Sequence, residues 1–139
     1  MGRIVYNAEI MKVMSLFEKI TTARLKDCII ENNQIIFIVQ PGMISKAIGK
    51  KGANVKTLEN KLNRKIKIVE FDSQPVKFIK NFILPTRIDD IEINENIVTI
   101  KASDSGVRSI LIGRNGNNLR YIEQITQRYF PEIKEIKVV

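Results

Sequence analysis

The sequence predicts an α+β protein in which one structural unit is used twice. The tetrapeptide Gly49-Lys50-Lys51-Gly52 recurs as Gly113-Arg114-Asn115-Gly116 at an offset of 64 residues. Flanking residues recur at the same offset, which indicates a true internal repeat. The matched pairs are Gly42 with Gly106, Ser45 with Ser109, Ile48 with Ile112, Asn54 with Asn118 and Glu59 with Glu123. Helical and strand-like patterns surround both copies. We therefore expect two domains, residues 1–72 and 73–139.

The first unit opens with a predicted helix from Asn7 to about Arg24. Asn7 is a good N-cap residue, because its side-chain oxygen can accept a hydrogen bond from the first helical turn. Apolar residues then recur at helical spacing, so this stripe is expected to face the core. It consists of Ile10, Val13, Met14, Phe17, Ile20 and Thr21.

Two strands and a helix pair complete the first unit. The predicted segments are strands 28–30 and 34–39, helices 43–48 and 53–63, and a last strand 66–69. Asn32 and Asn33 suit a turn with positive φ between the first two strands. Pro41-Gly42 ends the second strand, and the first glycine motif connects the two helices.

The second unit repeats this order in a reduced form. Its predicted segments are helix 75–82, strands 91–93 and 97–100, helices 107–112 and 117–130, and strand 133–139. Pro75 suits a first helical turn, and Asp104 or Ser105 can cap the short helix 107–112. The junction 72–85 has no glycine and several apolar residues. We expect it to hold the two domains together as one rigid body.

Positive charge is concentrated on the first glycine motif. The net charge of the chain is +8 and the pI is about 9.7. Eight basic residues and one acidic residue, Glu59, lie between positions 46 and 67. The basic residues are Lys46, Lys50, Lys51, Lys56, Lys61, Arg64, Lys65 and Lys67. A solvated lysine-rich face is the alternative, but a basic field centred on a repeated motif indicates a site for a polyanion.

The first motif has the chemistry to hold a phosphate backbone. Glycines without a Cβ let a ligand approach the main chain closely, and N–H groups at the following helix start can donate to phosphate oxygens. Lys50 and Lys51 add positive charge that strengthens binding without reading base sequence. Ile48 and Val55 can offer an apolar floor for bases.

The order helix–strand–strand–helix–GxxG–helix–strand resembles a type II KH domain, so the chain resembles two such domains in tandem. The resemblance implies a three-stranded sheet with helices on one face, and a GxxG loop that clamps four nucleotides of single-stranded RNA. It also implies a base-binding groove partly lined by residues 35–39. The implied RNA-binding residues are Lys46, Ile48, Gly49, Lys50, Lys51, Gly52, Val55, Lys56, Ile112, Gly113, Arg114, Asn115, Gly116 and Arg120.

The second loop is less basic than the first. Only four basic residues lie between Arg108 and Arg128, and its motif holds one charge, Arg114. A purely structural role for this loop is therefore the alternative to RNA binding. Asn54 and Asn118, five residues after the first glycine of each motif, are expected to brace the loops rather than to read bases.

Several other functions lack the residues they need. The chain has no histidine and one cysteine, Cys28, so metal binding and acid–base catalysis are poorly supported. The segment after Gly52 lacks the Gly-Lys of a P-loop. We expect no enzyme activity, no cofactor and no small-molecule substrate. Membrane-span and signal-peptide patterns are missing from the sequence, and the lone cysteine fits a reducing cytoplasm.

The two motifs with their flanks resemble the archaeal NusA-like transcription factors. The residues are Ile48 to Gly52 with Asn54-Val55-Lys56, Ile112 to Gly116 with Asn118-Leu119-Arg120, and the junction Phe82-Ile83-Leu84-Pro85. This resemblance implies binding of a nascent transcript or ribosomal RNA during elongation, termination or antitermination, with RNA polymerase as a partner to be tested. One alternative is a structural KH protein of the ribosome or of RNA processing. Another is a helix-turn-helix DNA-binding protein built on residues 43–62.

Overall fold

The computed structural model describes residues 7–139, which fall into two compact units. The first ends at Asp72 and the second spans Ser73–Val139. Each unit combines α-helices with one three-stranded sheet, so the predicted α+β class is confirmed. Residues 1–6, with which the first predicted domain begins, lie outside the described residues.

In the first unit, three helices pack on a mixed sheet. The elements are α1 (Ala8–Thr21), β1 (Leu25–Ile30), β2 (Gln34–Val39), α2 (Ile44–Ile48), α3 (Ala53–Leu62) and β3 (Lys65–Glu70). A 3-10 turn, Lys50–Gly52, joins α2 to α3. The strand order is β1-β2-β3, with β1 antiparallel and β3 parallel to β2. The central strand is therefore paired along both edges.

Helix α1 begins as predicted but ends earlier. The Asn7 side chain accepts a hydrogen bond from the Ile10 amide at 2.9 Å, and Val13 and Phe17 are buried in the core. The extension to Arg24 was wrong, because Thr22 adopts a left-handed φ of 58°. The Thr21 hydroxyl accepts from the Ala23 amide at 3.0 Å, which turns the chain toward β1.

The first hairpin has a different turn from the one predicted. Asn32 and Asn33 do not have positive φ, and that prediction was wrong. The loop has three residues, and the Glu31 amide closes it by donating to the Gln34 carbonyl at 2.8 Å. A longer loop needs no left-handed pair. The second hairpin does use one, at Glu95 and Asn96.

The core of the first unit lies between β2 and the helices. Phe37 on β2 stacks on Phe17 of α1 with ring centroids 4.2 Å apart. Ala47 of α2 and Leu58 of α3 complete this core and are fully buried. The short helix α2 and the longer α3 are thus fixed to the sheet, and their connecting loop is presented at the surface.

The second unit has the same element order. The elements are α4 (Pro75–Ile83), β4 (Asp90–Asn94), β5 (Ile97–Lys101), α5 (Ser105–Ile112), α6 (Asn117–Tyr129) and β6 (Glu135–Val138). The strand order is β4-β5-β6, again with one antiparallel and one parallel pairing. Asp104 is the cap of α5, since its carboxylate accepts from the Gly106 amide at 2.7 Å and the Val107 amide at 3.2 Å.

The apolar residues of the junction belong to α4 of the second unit. Phe78 packs edge-on against Tyr129, with ring centroids 5.4 Å apart, and also contacts Phe82 and Phe130. No helix within residues 7–139 is long and apolar enough to span a membrane. The same residues contain no group of three or more histidine, cysteine or acidic side chains placed to hold a metal ion.

Candidate nucleic-acid interface

The first GxxG loop is a tight reversal between α2 and α3. Gly49 ends α2 with φ 79° and ψ 171°, and its carbonyl accepts a hydrogen bond from the Gly52 amide at 3.1 Å. Lys51 is left-handed at φ 55°, and Gly52 follows at φ 74°. The left-handed region costs a non-glycine residue about 1–2 kcal/mol, so the surrounding contacts must hold Lys51 in place.

The second loop repeats this backbone closely. Gly113 has φ 74° and ψ 179°, Asn115 has φ 57°, and Gly116 has φ 75°. The Gly116 amide donates to the Gly113 carbonyl at 3.2 Å. Asparagine adopts the left-handed region more readily than lysine, so the second loop is locally less strained than the first.

The two glycines of each motif have different surroundings. A Cβ added to Gly49 would lie 2.9 Å from the Asn54 side chain, and one added to Gly113 would lie 2.6 Å from Asn118 Cβ. The space beside the first glycine is therefore filled by asparagine. A Cβ at Gly52 would meet no atom within 4 Å. Open space for a ligand thus lies beside Gly52, not beside Gly49.

Arg120 changes the surroundings of the second loop. Its Nη2 donates to the Asn115 carbonyl at 2.6 Å and to Asn117 Oδ1 at 2.9 Å. A Cβ at Gly116 would lie 3.4 Å from Arg120 Nη1. A guanidinium held on the loop itself therefore flanks Gly116. Lys56, the matching residue in the first unit, is exposed.

Most of the predicted basic residues around the first loop reach solvent. Lys46, Lys50, Lys51 and Lys56 are exposed, and so are Lys61 and Lys65. Lys67 on β3 is half-buried, and removal from water lowers the pKa of its ammonium group. Five of these exposed lysines lie on the helix pair and the loop, where a phosphate backbone could reach them, and Lys65 lies at the start of β3.

The apolar candidates beside the loops are partly exposed. Ile48 at the end of α2 exposes 37% of its surface, whereas Val55 and Ile112 are half-buried. Ile110 on α5 exposes 62% and stands where the repeat places Lys46. Ile110 was not among the residues predicted from the sequence. The repeat aligns it with Lys46, and this alignment could have indicated an exposed apolar residue beside the second loop.

The expected groove lining on β2 is wrong. Residues 35–39 are almost fully buried, and Ile35, Phe37 and Val39 belong to the core between the sheet and the helices, so these side chains are not open to a base. The strand beside the helix pair is β3, an edge strand that contacts both α2 and α3. The pairing order decides which strand is central, and strand patterns alone do not reveal that order.

The asparagines brace their loops as expected. Asn54 Nδ2 donates to the Lys46 carbonyl at 3.1 Å. Asn118 Nδ2 donates to the Ile110 carbonyl at 3.1 Å and the Leu111 carbonyl at 3.0 Å. Each side chain thus connects the start of one helix to the end of the preceding helix.

Known proteins have sequences similar to this chain. A family model described as KH domain matches residues 13–80. The chain is 36% identical to "Probable transcription termination protein NusA" of Methanocaldococcus jannaschii, over 94% of this chain and 72% of that protein. It is 35% identical to the protein of the same name from Methanococcus vannielii, over 99% of this chain and 80% of that one.

A solved structure has a fold similar to that of this chain. The crystal structure of APE1850 matches 96% of this chain and the whole of that chain, with a TM-score of 0.74 and 26% identity. The similarity to the methanogen proteins extends over both glycine motifs and over nearly the full length of the chain. The chain therefore belongs to the archaeal NusA-like family of KH-domain proteins.

Proposed function

We propose that this protein binds single-stranded RNA as a transcription factor, in elongation, termination or antitermination. The RNA would be a nascent transcript or ribosomal RNA. The printed names of the relatives support the transcription role, and the KH-domain match supports RNA as the ligand. RNA polymerase is the proposed protein partner. No chemical step is assigned to the protein.

The first loop is the observation on which this proposal rests. It combines open space beside Gly52, exposed side chains of Lys50 and Lys51, and the N-terminal end of α3. A phosphate placed over Gly52 would lie at the N-terminal end of α3, where the helix dipole favours negative charge, while two lysines neutralise its charge. Such contacts favour a nucleic-acid backbone whatever its bases.

Both units are proposed to be type II KH domains. They share one element order, one strand order and the same loop dihedral angles. The contacts proposed for the first loop are Lys46, Ile48, Gly49, Lys50, Lys51, Gly52, Val55 and Lys56. Those proposed for the second loop are Ile112, Gly113, Arg114, Asn115, Gly116 and Arg120. One RNA strand contacting both loops would bind more tightly than a strand contacting one.

The two loops are proposed to contribute differently. The first would supply most of the phosphate binding, because four exposed lysines, Lys46, Lys50, Lys51 and Lys56, lie on the loop or in the adjoining helix turns. In the second, the guanidinium of Arg120 is already bonded to the loop, and Arg114 adds one exposed charge. That loop would mainly extend the footprint and fix the register of the RNA.

A competition assay tests the proposed ligand. A labelled single-stranded RNA bound by the protein is challenged with unlabelled RNA of the same sequence or with duplex DNA. We expect single-stranded RNA to compete far better. Preferential competition by duplex DNA would instead favour the helix-turn-helix interpretation, in which the pair α2 and α3 enters the major groove.

The cellular assembly needs a separate measurement. The tagged protein is isolated from cells, and the co-purifying complex is identified with and without ribonuclease treatment. RNA polymerase subunits that persist after ribonuclease would support the transcription role. Ribosomal subunits in their place would favour the structural KH protein of the ribosome or of RNA processing.

A further inference from the structure

The same asparagine contact is found at both glycine motifs. Asn54 is the second residue of α3, yet its side chain points back to α2 and donates to the Lys46 carbonyl. Asn118 does the same from α6 to the Ile110 and Leu111 carbonyls of α5. All three carbonyls belong to the last turn of a helix, where no intrahelical amide is available to them.

Packing couples each asparagine to the first glycine of its motif. The Asn54 side chain occupies the space that a Cβ on Gly49 would need, and Asn118 occupies the corresponding space at Gly113. A carboxamide both fills this space and donates a hydrogen bond. Neither aspartate nor alanine can donate to a carbonyl, and alanine also lacks the carboxamide atoms of Asn54 that lie 2.9 Å from a Cβ on Gly49. In each motif, the first glycine and the asparagine are therefore structurally dependent on each other.

The contact does not depend on the charge of the loop. The residues between the glycines are two lysines in the first unit and arginine with asparagine in the second. Asn54 and Asn118 nevertheless make the same kind of contact at the same offset. The backbone of the two loops is also nearly identical. The two loops therefore share their backbone shape and their asparagine contact, but not their charge.

We propose that Asn54 and Asn118 are positioning residues that hold the GxxG loops in the RNA-binding conformation before RNA arrives. This inference rests on the proposed function. Without the contact, Lys51 and Gly52 would relax from their left-handed dihedral angles toward other conformations. RNA binding would then have to order the loop, and affinity would fall by the cost of that ordering.

Amide hydrogen exchange tests the structural half of this inference. The Gly52 amide is bonded to the Gly49 carbonyl, and the Gly116 amide to the Gly113 carbonyl, so each reports on its own loop. We expect Asn54→Ala to speed exchange at Gly52 about fivefold, the effect of losing one hydrogen bond, with Gly116 unchanged. Asn118→Ala should do the reverse. Asn60→Ala, on the exposed face of α3, is the matched control and should change neither.

Equal acceleration at both loops, or none at either, would overturn this structural half. Equal acceleration would indicate global destabilisation instead of a local contact. We do not expect global destabilisation, because the high helix propensity of alanine partly offsets the stability lost with the hydrogen bond. The thermal midpoint of Asn54→Ala should therefore stay close to that of the parent protein.

RNA binding tests the functional half. The probe is a random-sequence single-stranded RNA of about eight nucleotides, twice the four that one GxxG loop clamps. Asn54→Ala should weaken binding about fivefold, the equivalent of about 1 kcal/mol, and leave the salt dependence unchanged because no cation is removed. Unchanged affinity together with faster Gly52 exchange would overturn the positioning role. A parent protein that fails to bind this RNA would refute the proposed function instead, so the two failures are distinguishable.

Discussion

At the residue scale, the two glycines of the first motif serve different purposes. Gly49 has a φ and ψ that side chains disfavour, and Asn54 fills the space beside it. Gly52 is left-handed, but the space beside it is open. Gly49 is therefore needed for the shape of the loop, and Gly52 keeps the surface clear for a ligand.

Alanine at these two positions should separate stability from binding. Gly49→Ala should lower the free energy of unfolding by about 3 kcal/mol, from backbone strain and the clash with Asn54. Gly52→Ala should cost about 1 kcal/mol, because only the left-handed φ opposes it. Its methyl group should nevertheless weaken RNA binding about tenfold, the scale of a lost charge-assisted hydrogen bond. Thermal unfolding and RNA titration measure the two effects. A Gly52→Ala protein with normal RNA affinity would contradict the proposed phosphate position.

Asp89 gives a residue-scale prediction on pH dependence. Hydrogen bonds from the Ser103 side chain and from its backbone amide, the latter at 2.9 Å, hold the pKa of this carboxyl below its usual 3.8. As the pH falls, the carboxylate of Asp89 is therefore protonated at a higher pH in the unfolded chain than in the folded chain. The stabilisation is complete above pH 3.8 and is lost as pH falls through the folded pKa.

Replacing Asp89 should remove this part of the acid sensitivity. Asp89→Asn should be less stable than the parent at neutral pH, and should lose less stability on acidification below pH 3.8. Denaturant unfolding at neutral and acid pH measures both proteins. Parallel stability losses would show that the carboxylate of Asp89 does not contribute.

Many residues of the candidate site could be predicted from the sequence, because the internal repeat identifies them. The glycines, Lys50, Lys51 and the bracing asparagines were all identified from the sequence. The contact of Arg120 with the Asn115 carbonyl was not, since a long side chain can take many directions from one helix position. The closure of the space beside Gly49 depends likewise on a side-chain position that spacing does not reveal.

At the element scale, the apolar periodicity and the capping residues predicted the helices, but the strand patterns did not predict the order of the strands in the sheets. Helix α1 has its apolar stripe and its Asn7 cap where periodicity places them, and α4 begins at Pro75. Strand β2 reads as an apolar run from Ile35 to Val39, which identifies a buried strand but not its neighbours. The base-groove lining was wrong because residues 35–39 are buried, and the strand of this sheet that contacts α2 and α3 is the edge strand β3.

The two loop elements should differ in their salt dependence. Lys50→Gln with Lys51→Gln removes two cations, and should flatten the log–log salt slope of RNA binding by about 1.4, at roughly 0.7 per phosphate. Arg114→Gln removes one, so its slope should change by about 0.7 at most. On an RNA of about four nucleotides, the span of one loop, Arg114→Gln should have almost no effect. Equal losses from both variants on that short RNA would contradict the unequal roles.

At the scale of the whole molecule, the two units are joined by a short and ordered segment. Strand β3 ends at Glu70 and α4 begins at Pro75, with no glycine between them. We expect such a connection to restrict independent motion of the two domains. The expectation that the two domains form one rigid body stays a prediction.

Thermal unfolding tests that prediction. We expect a single calorimetric transition, with the calorimetric enthalpy equal to the van't Hoff enthalpy. Labels on Lys61 of the first unit and Lys134 of the second, both exposed, should report the same midpoint. Two separated transitions, one for each label, would mean that the units fold independently.

The most direct test of the account is the effect of charge reversal at the first loop. Lys50→Asp with Lys51→Asp should leave the fold intact, because both side chains are exposed, and should abolish most single-stranded RNA affinity. The control is Lys77→Asp with Lys134→Asp, which changes the net charge equally. Lys134 follows the C-terminal end of α6, about 20 Å along that helix from the second loop. The account predicts near-normal binding by the folded control and a large loss in the folded loop variant. Equal affinities for the two variants would contradict the assignment of the first GxxG loop as the RNA clamp.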